Sequence, residues 1–167
     1  MPETTRQYKQ RVLNYTDGLE PLAVQAATPK KIARLLAQAS PARLKRSPAP
    51  GKWSAAEILA HLADCEVCFA WRYRSILGQP GAPLLGFDQD AWAQRMRYSK
   101  RAAKPSFEAF QALRSFNLAL LKSLTPAEWK LEGLHSERGP ESVAATARMI
   151  AGHDINHLRQ LEALLKV

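Results

Sequence analysis

A strongly marked helix start lies at Ser54. Ser54 and Glu57 have the spacing of a capping box, in which each side chain accepts a hydrogen bond from the backbone N–H of the other residue. Trp53 and Ile58 are placed to form a hydrophobic staple around this box. Apolar residues then recur at helical spacing until about Leu77, where glycine and proline follow. The sequence therefore predicts a helix of about six turns over 54–77.

Three further segments have helical spacing of apolar residues, and no stretch shows sustained period-two alternation of β-branched residues. These segments are residues 28–39, 106–123 and 142–166. Thr28 is the predicted N-cap of the earliest of these helices, and Pro29 is its predicted first residue. Residues 1–27 carry weaker signals, so we expect an irregular or partly helical N-terminal arm there. The remaining residues, 28–167, are expected to form one bundle domain.

The connection between the second and third predicted helices, residues 79–105, is too long for a simple helical hairpin. It is rich in proline and glycine at first and then has a helical pattern over 88–98. Long crossovers are one known way to connect four-helix bundles. We therefore predict an all-α four-helix bundle with a long crossover between helices two and three. His135 falls in the loop before the last helix and is predicted to be a surface residue.

Charge and composition exclude several classes of protein. The chain carries 24 basic and 15 acidic residues, but the basic residues lie in short scattered groups and no zinc-finger, RRM or basic-zipper pattern is present. We therefore expect no specific nucleic-acid binding. No apolar run reaches the roughly 18 residues of a membrane span, and the polar N-terminus lacks a signal-peptide core. With only two cysteines, the expected location is the cytoplasm.

Two histidines on the last predicted helix, His153 and His157, are four residues apart. Both rings therefore project from one face of the helix, about one turn from each other, and can share a metal ion. The pair resembles the zincin helix motif, but Asp154 replaces the glutamate that follows the first histidine there. The alternative interpretation is two ordinary histidines at the edge of a core.

Asp154 lies near the middle of the apolar stripe of this helix, where an unpaired carboxylate would cost several kcal/mol. It must therefore have a partner. One candidate is the free ring N–H of a metal-binding histidine, which a carboxylate can orient from outside the coordination sphere. The other candidate is an arginine such as Arg72. Gln160 flanks the same stripe beside the two histidines, and we predict an outer role for it too.

His61 lies two turns into the Ser54 helix, with Glu57, Asp64 and Cys65 at helical spacing from it. Together with the pair on the last helix, His61 would complete three corners of a metal site and leave one position open, as in catalytic zinc sites. Zinc is the first expectation for the ion, and nickel, iron or copper also suit imidazole ligands. Glu57 and Asp64 are predicted to support the site from outside.

The two cysteines, Cys65 and Cys68, form a CxxC pair deep inside a helix rather than at a helix start after a strand, which disfavours a redox motif. Small core residues are the preferred interpretation. Because Cys65 follows His61 by four residues, its thiol could also approach the same metal ion.

Two runs of this chain resemble the signature segments of the DinB/YfiT-like superfamily. They are residues 50–66, PGKWSAAEILAHLADCE, and residues 150–160, IAGHDINHLRQ, with further similarity over 86–92 and 135–140. The resemblance covers about residues 28–166. It implies a four-helix bundle with a metal ion held by three histidines, which match His61, His153 and His157 here. Ala145 departs from the pattern, because a glutamate is usual at that helix start.

The resemblance also carries expectations about function, since members of this superfamily are often dimers and include zinc-dependent thiol S-transferases, isomerases and hydrolases. The first hypothesis is a metal-dependent thiol S-transferase or hydrolase that acts on small electrophiles, with a low-molecular-weight thiol as a candidate partner. The second is a non-catalytic homodimeric binding or stress-response module with a structural metal or none. Small residues on the last helix, Ala144, Ala145 and Gly152, would suit close helix contact in such a dimer.

Overall fold

The computed structural model describes residues 4–165, and four long helices in this part of the chain form a bundle. The helices are α1 (Thr5–Asn14), α2 (Pro21–Ala37), α3 (Pro41–Lys45), α4 (Ala55–Gly78), α5 (Gln89–Arg95), α6 (Ala103–Lys122) and α7 (Val143–Leu165). Bundle helix α4 packs on α6 and α2 packs on α7. The predicted all-α four-helix bundle is therefore confirmed. The predicted helix end at Lys166 lies outside the described residues.

Helix α4 begins as its sequence predicts. The Ser54 N–H donates to the Glu57 carboxylate over 2.8 Å, and the Glu57 N–H donates to the Ser54 hydroxyl over 3.3 Å. This reciprocal cap satisfies two backbone N–H groups that the first turn of a helix leaves without partners.

Helix α2 begins eight residues earlier than predicted, at Pro21 instead of Pro29, so the proposed N-cap at Thr28 is wrong. The N-cap is Glu20, whose carboxylate accepts from the second and third residues of the helix. Thr28 lies inside the helix, and its hydroxyl donates to the Val24 carbonyl over 2.9 Å. Pro29 is therefore an interior proline, which has no N–H for the carbonyl of Gln25 four residues before it. That carbonyl instead accepts from the Arg114 guanidinium over 3.0 Å.

The arm before α2 contains α1, which packs against α7 of the same chain. The approach is close at Gly152, where an added Cβ would lie 2.0 Å from the Val12 carbonyl oxygen. Gly152 is thus used inside the chain, to admit the backbone of α1.

Short strands within the segments 79–88 and 131–142, which the sequence predicts as loops, form a small sheet. Strands β1 (Pro83–Leu84), β2 (Glu132–His135) and β3 (Gly139–Ser142) pair in that order, β1 with β2 in parallel and β2 with β3 antiparallel. Strands of two to four residues are too short to show a period-two pattern. The sheet buries His135, which is 2% exposed, so its predicted surface position is wrong.

Apolar residues of the bundle divide into two clusters, and the candidate site lies between them along α7. One cluster reaches Ile150 and the other begins at Leu158. His153, Asp154 and His157 occupy the interval and are all buried. No helix in the described part of the chain combines the length and apolarity needed to cross a membrane.

Candidate metal centre

Three histidine rings from two helices meet at this level of the bundle. His61 lies on α4, and His153 and His157 lie one turn apart on α7. The ring centroids are 5.2 Å apart for His61 and His153, 4.9 Å for His61 and His157, and 4.4 Å for His153 and His157. The three rings that the sequence predicts as metal ligands therefore lie together. The donor atoms that lie within 4.8 Å of one another in the described residues are, however, those of His61, His153 and Cys65.

Cys65 belongs to the same cluster. Its Sγ lies 3.5 Å from His61 Nε2 and 3.8 Å from His153 Nε2, and the two Nε2 atoms are 3.1 Å apart. An ion bound tetrahedrally at ~2.1 Å to nitrogen and ~2.3 Å to sulfur keeps two nitrogens roughly 3.4 Å apart and nitrogen and sulfur roughly 3.6 Å apart. The observed separations come close to these values, so the donor atoms fit a divalent metal ion.

The orientation of His157 is set from outside the cluster. Its Nδ1 lies 2.8 Å from Oε1 of Gln160, one turn further along α7. Because an amide oxygen only accepts, this contact places the ring proton on Nδ1 and leaves Nε2 with a free lone pair. A metal ligand needs such a lone pair, and an outer hydrogen bond of this kind holds the ring in place.

Burial favours the neutral form of all three rings. It lowers the pKa of His61 and of His153 well below the ordinary value, with repulsion from a neighbouring histidine adding to the effect. Burial likewise lowers the pKa of His157 to about 4, although Gln160 opposes the shift. Neutral imidazole is the form that binds metal, so the rings are in the ligand state at neutral pH. Burial also raises the pKa of the Cys65 thiol.

The partner that Asp154 requires is Arg114, from α6. The guanidinium donates to both carboxylate oxygens, over 2.5 Å and 2.9 Å, and also to Glu66 over 2.7 Å. Burial disfavours the charge of Arg114, but Asp154 and Glu66 outweigh this effect and raise its pKa above the ordinary value. Arg72, the arginine named from sequence, instead donates to the Leu85 carbonyl.

The sequence alone does not predict this ion-pair network. Glu66 and Arg114 are each 2% exposed and are held further by Asn117, which donates to Glu66 over 3.0 Å. One feature of the sequence does indicate it. Two acidic residues, Glu66 and Asp154, lie on apolar helix faces, and buried carboxylates require a cationic partner. The network adjoins the histidine cluster, because Asp154 follows His153 in the chain and the Arg114 cation contributes to the lowered pKa of His153.

Two of the predicted outer residues have other contacts. Asp64 accepts from Arg101 over 3.0 Å, and Glu57 is engaged in the cap of α4. Of the four predicted outer residues, Gln160 is the one that hydrogen-bonds a histidine ring within residues 4–165.

Two cavities reach the histidines from different sides. One, of about 410 Å³, is bordered by His61, Cys65 and His153. The other, of about 660 Å³, is bordered by His157 and Gln160. The cluster is therefore accessible to small molecules although its side chains are buried.

Comparisons with known proteins identify similar sequences. The model of the DinB superfamily matches residues 26–161 of this chain. A protein of Oceanobacillus iheyensis is 24% identical over 116 residues, which cover 70% of this chain and 67% of that protein. One of Bacillus mycoides strain KBAB4 is 22% identical over 136 residues, which cover 81% of this chain and 78% of that protein. Both are named "putative metal-dependent hydrolase".

A solved structure shows the same fold. YfiT from Bacillus subtilis, described as a probable metal-dependent hydrolase with an unusual four-helix bundle topology, superposes with a TM-score of 0.79 at 18% identity. The match covers 96% of this chain and 87% of that one.

Proposed function

This chain belongs to the DinB superfamily, as its sequence motifs indicate, and we propose that it is a metal-dependent enzyme acting on small electrophiles. His61, His153 and His157 hold the ion, and zinc is the expected metal. The reaction is hydrolysis or the transfer of a low-molecular-weight thiol. The observation that carries the proposal is the convergence of three buried, neutral imidazoles at the walls of two cavities.

When bound, the ion lowers the pKa of a coordinated water or thiol and so supplies a nucleophile at neutral pH. The protein's own contribution is positional. Gln160 fixes the His157 ring, and the buried pair of Arg114 and Asp154 anchors α7 against α6 beside His153. Burial of the three histidine side chains among the bundle helices removes them from bulk water, which strengthens electrostatic interactions inside the site.

The relatives support the hydrolytic version, because two of them are named as metal-dependent hydrolases. The thiol-transfer version is supported by the two cavities, since a transfer reaction needs room for two reactants that meet at the same site.

The proposal is tested first by metal content. Elemental analysis of untagged protein should find about one divalent ion per chain, and His61→Ala should lose it. His135→Gln, a change at the one histidine outside the cluster, should keep the metal. Absence of metal from the unaltered protein, or its full retention in His61→Ala, would refute the site.

The second test is turnover. Metal-loaded and metal-free protein are compared on a panel of esters, amides and halogenated electrophiles, with and without a low-molecular-weight thiol. We expect activity in the loaded form alone. Equal rates in the two forms across the panel would refute the catalytic role.

A second candidate function is a non-catalytic homodimeric module. It is supported by large apolar side chains on the outer face of α4 and α6, where Val67, Trp71 and Phe116 are 54%, 71% and 58% exposed. Such a patch is typical of an interaction surface. For this function, His153→Ala and His157→Ala should alter stability or assembly without affecting any turnover, and Trp71→Glu should convert a dimer into a monomer in sedimentation experiments.

A further inference from the structure

The 410 Å³ cavity contains an arginine that has no acidic partner. Arg72 is 4% exposed and borders the same cavity as His61 and His153. Its Nη2 donates to the Leu85 carbonyl over 2.6 Å, and its guanidinium lies 5.1 Å from the Phe69 ring centroid. Within residues 4–165, no carboxylate lies within ion-pair distance of it. Burial and the Arg138 cation lower the pKa of Arg72, and the more distant Glu141 carboxylate opposes this only in part. A buried guanidinium without an ion-pair contact is costly, so a bound anion would be stabilised there.

A second unpaired donor borders the same cavity. His135 Nδ1 accepts a hydrogen bond from the Glu137 backbone N–H over 3.2 Å. The neutral ring therefore carries its proton on Nε2. This Nε2 is buried and has no hydrogen-bond partner within the described residues. Burial and the nearby cations Arg138 and Arg72 lower the pKa of His135 to about 4, so the ring is a neutral donor at pH 7.

The charge of the cavity wall limits the ligand to a small negative charge. Three cationic side chains and two carboxylates border the cavity: Lys9, Arg72 and Arg138, with Asp88 and Glu137. Arg138 is already compensated, because Glu141 accepts from it over 3.1 Å and 2.6 Å. The two carboxylates of the wall repel a dianion about twice as strongly as a monoanion. A single carboxylate needs one cation and one further donor.

We propose that Arg72 and the Nε2–H of His135 form a carboxylate-binding subsite beside the histidine cluster, so that the substrate is a small monocarboxylate. This inference rests on the proposed function, because it takes the substrate to occupy the cavity that His61 and His153 border. The carboxylate is bound at one end of the cavity, and the reacting part of the molecule faces the cluster.

The test is a titration of the full-length protein with butyrate, butyramide and inorganic phosphate, in the zinc-loaded form and after chelation of the metal. Binding is followed by calorimetry and by the backbone amide signals of Gly86 and Glu137, which border the cavity. We expect butyrate to shift these signals in both forms and butyramide not to. Butyrate binding after chelation separates the subsite from direct coordination of the metal.

The variants Arg72→Gln and His135→Phe remove the two donors, and Arg34→Gln removes a charge from an exposed position on α2 as the matched control. Arg72→Gln should weaken butyrate binding at least about tenfold, the usual effect of losing a charge-assisted hydrogen bond, and Arg34→Gln should leave it unchanged. If either cavity variant fails to fold, the titration of the unaltered protein decides alone.

Three results would overturn the subsite: no signal shift with butyrate, equal affinity for butyramide, or tighter binding of phosphate than of butyrate. A folded Arg72→Gln that binds butyrate normally would do the same. Failure of the proposed function gives a different outcome. Elemental analysis would then find no metal, whereas the titration would still show butyrate binding.

Discussion

Gln160 is largely exposed, yet its amide oxygen orients the ring of His157. Gln160→Leu keeps the side-chain size but removes this hydrogen bond. Because outer partners of metal-binding histidines contribute roughly 10–100-fold to affinity, we expect a loss within that range. The measurement is competition with a chromophoric chelator. Gln111→Leu, at an exposed position on α6, is the control, and equal affinities of the two variants would contradict the role of Gln160.

The Cys65 sulfur lies 3.5 Å from Nε2 of His61 and 3.8 Å from Nε2 of His153, which are two of the proposed metal ligands. Since three imidazoles suffice to hold the ion, Cys65→Ser should retain about one equivalent of metal. His153→Ser removes a proposed ligand. Its metal affinity should therefore fall by more than the roughly 10–100-fold expected when an outer hydrogen-bond partner is lost.

Cobalt-substituted protein distinguishes a thiolate ligand from a neighbouring thiol, and Cys68→Ser is the control. A thiolate-to-cobalt charge-transfer band that disappears in Cys65→Ser but not in Cys68→Ser would show that the sulfur is itself a ligand.

The sequence predicts some residues of this site and not others. Helical spacing alone places His153 and His157 on one face of α7, and the position of Asp154 in the apolar stripe demands a partner. The position of Asp154 does not identify Arg114 as that partner, because the partner depends on how α6 is rotated and shifted against α7. Helical periodicity gives the buried face of each helix and leaves its axial position relative to its neighbours open.

Among the helices, α1 depends on one glycine of α7. Gly152→Ala would place a methyl group 2.0 Å from the Val12 carbonyl oxygen, so α1 must move away. We expect the free energy of unfolding in urea to fall by roughly 2–3 kcal/mol. Gly78→Ala, at a helical glycine with open space around its Cβ position, should change it by less than about 1 kcal/mol. Similar values for both variants would contradict the close packing.

A helix start is predicted correctly where two residues cap each other, and incorrectly where a single residue pair suggests a start without such mutual hydrogen bonds. The cap at Ser54 contains two hydrogen bonds that support each other, and the helix begins there. Thr28 followed by Pro29 also resembles a helix start, but α2 continues through it because Arg114 supplies the donor that the proline lacks. Such long-range compensation is invisible in a local pattern.

The whole molecule should lose stability in mild acid when the metal is removed. His135 and His157 have pKa values of about 4 in the folded chain, below the ordinary 6.5. Between pH 6.5 and 4 the unfolded chain therefore binds more protons than the folded chain. The contribution of these histidines to the free energy of unfolding is full above pH 6.5 and declines as the pH falls toward 4. His61 and His153 act in the same direction.

Urea unfolding of the chelated protein at a series of pH values between 7 and about 4.5 measures this effect. His135→Gln should flatten the decline by removing one of the titrating groups. A stability that is constant or rises toward acid pH would contradict the assignment of buried neutral rings.

Helix α1 borders both cavities, through Tyr8 in each, yet it precedes residue 26, where the match to the superfamily begins. The histidines and the buried ion pairs belong to the matched region. We therefore expect ligand preference within the superfamily to vary with this ten-residue helix more readily than with the three proposed metal-binding histidines. In this architecture, ligand choice can change in one segment of the chain while the proposed metal site is kept in another.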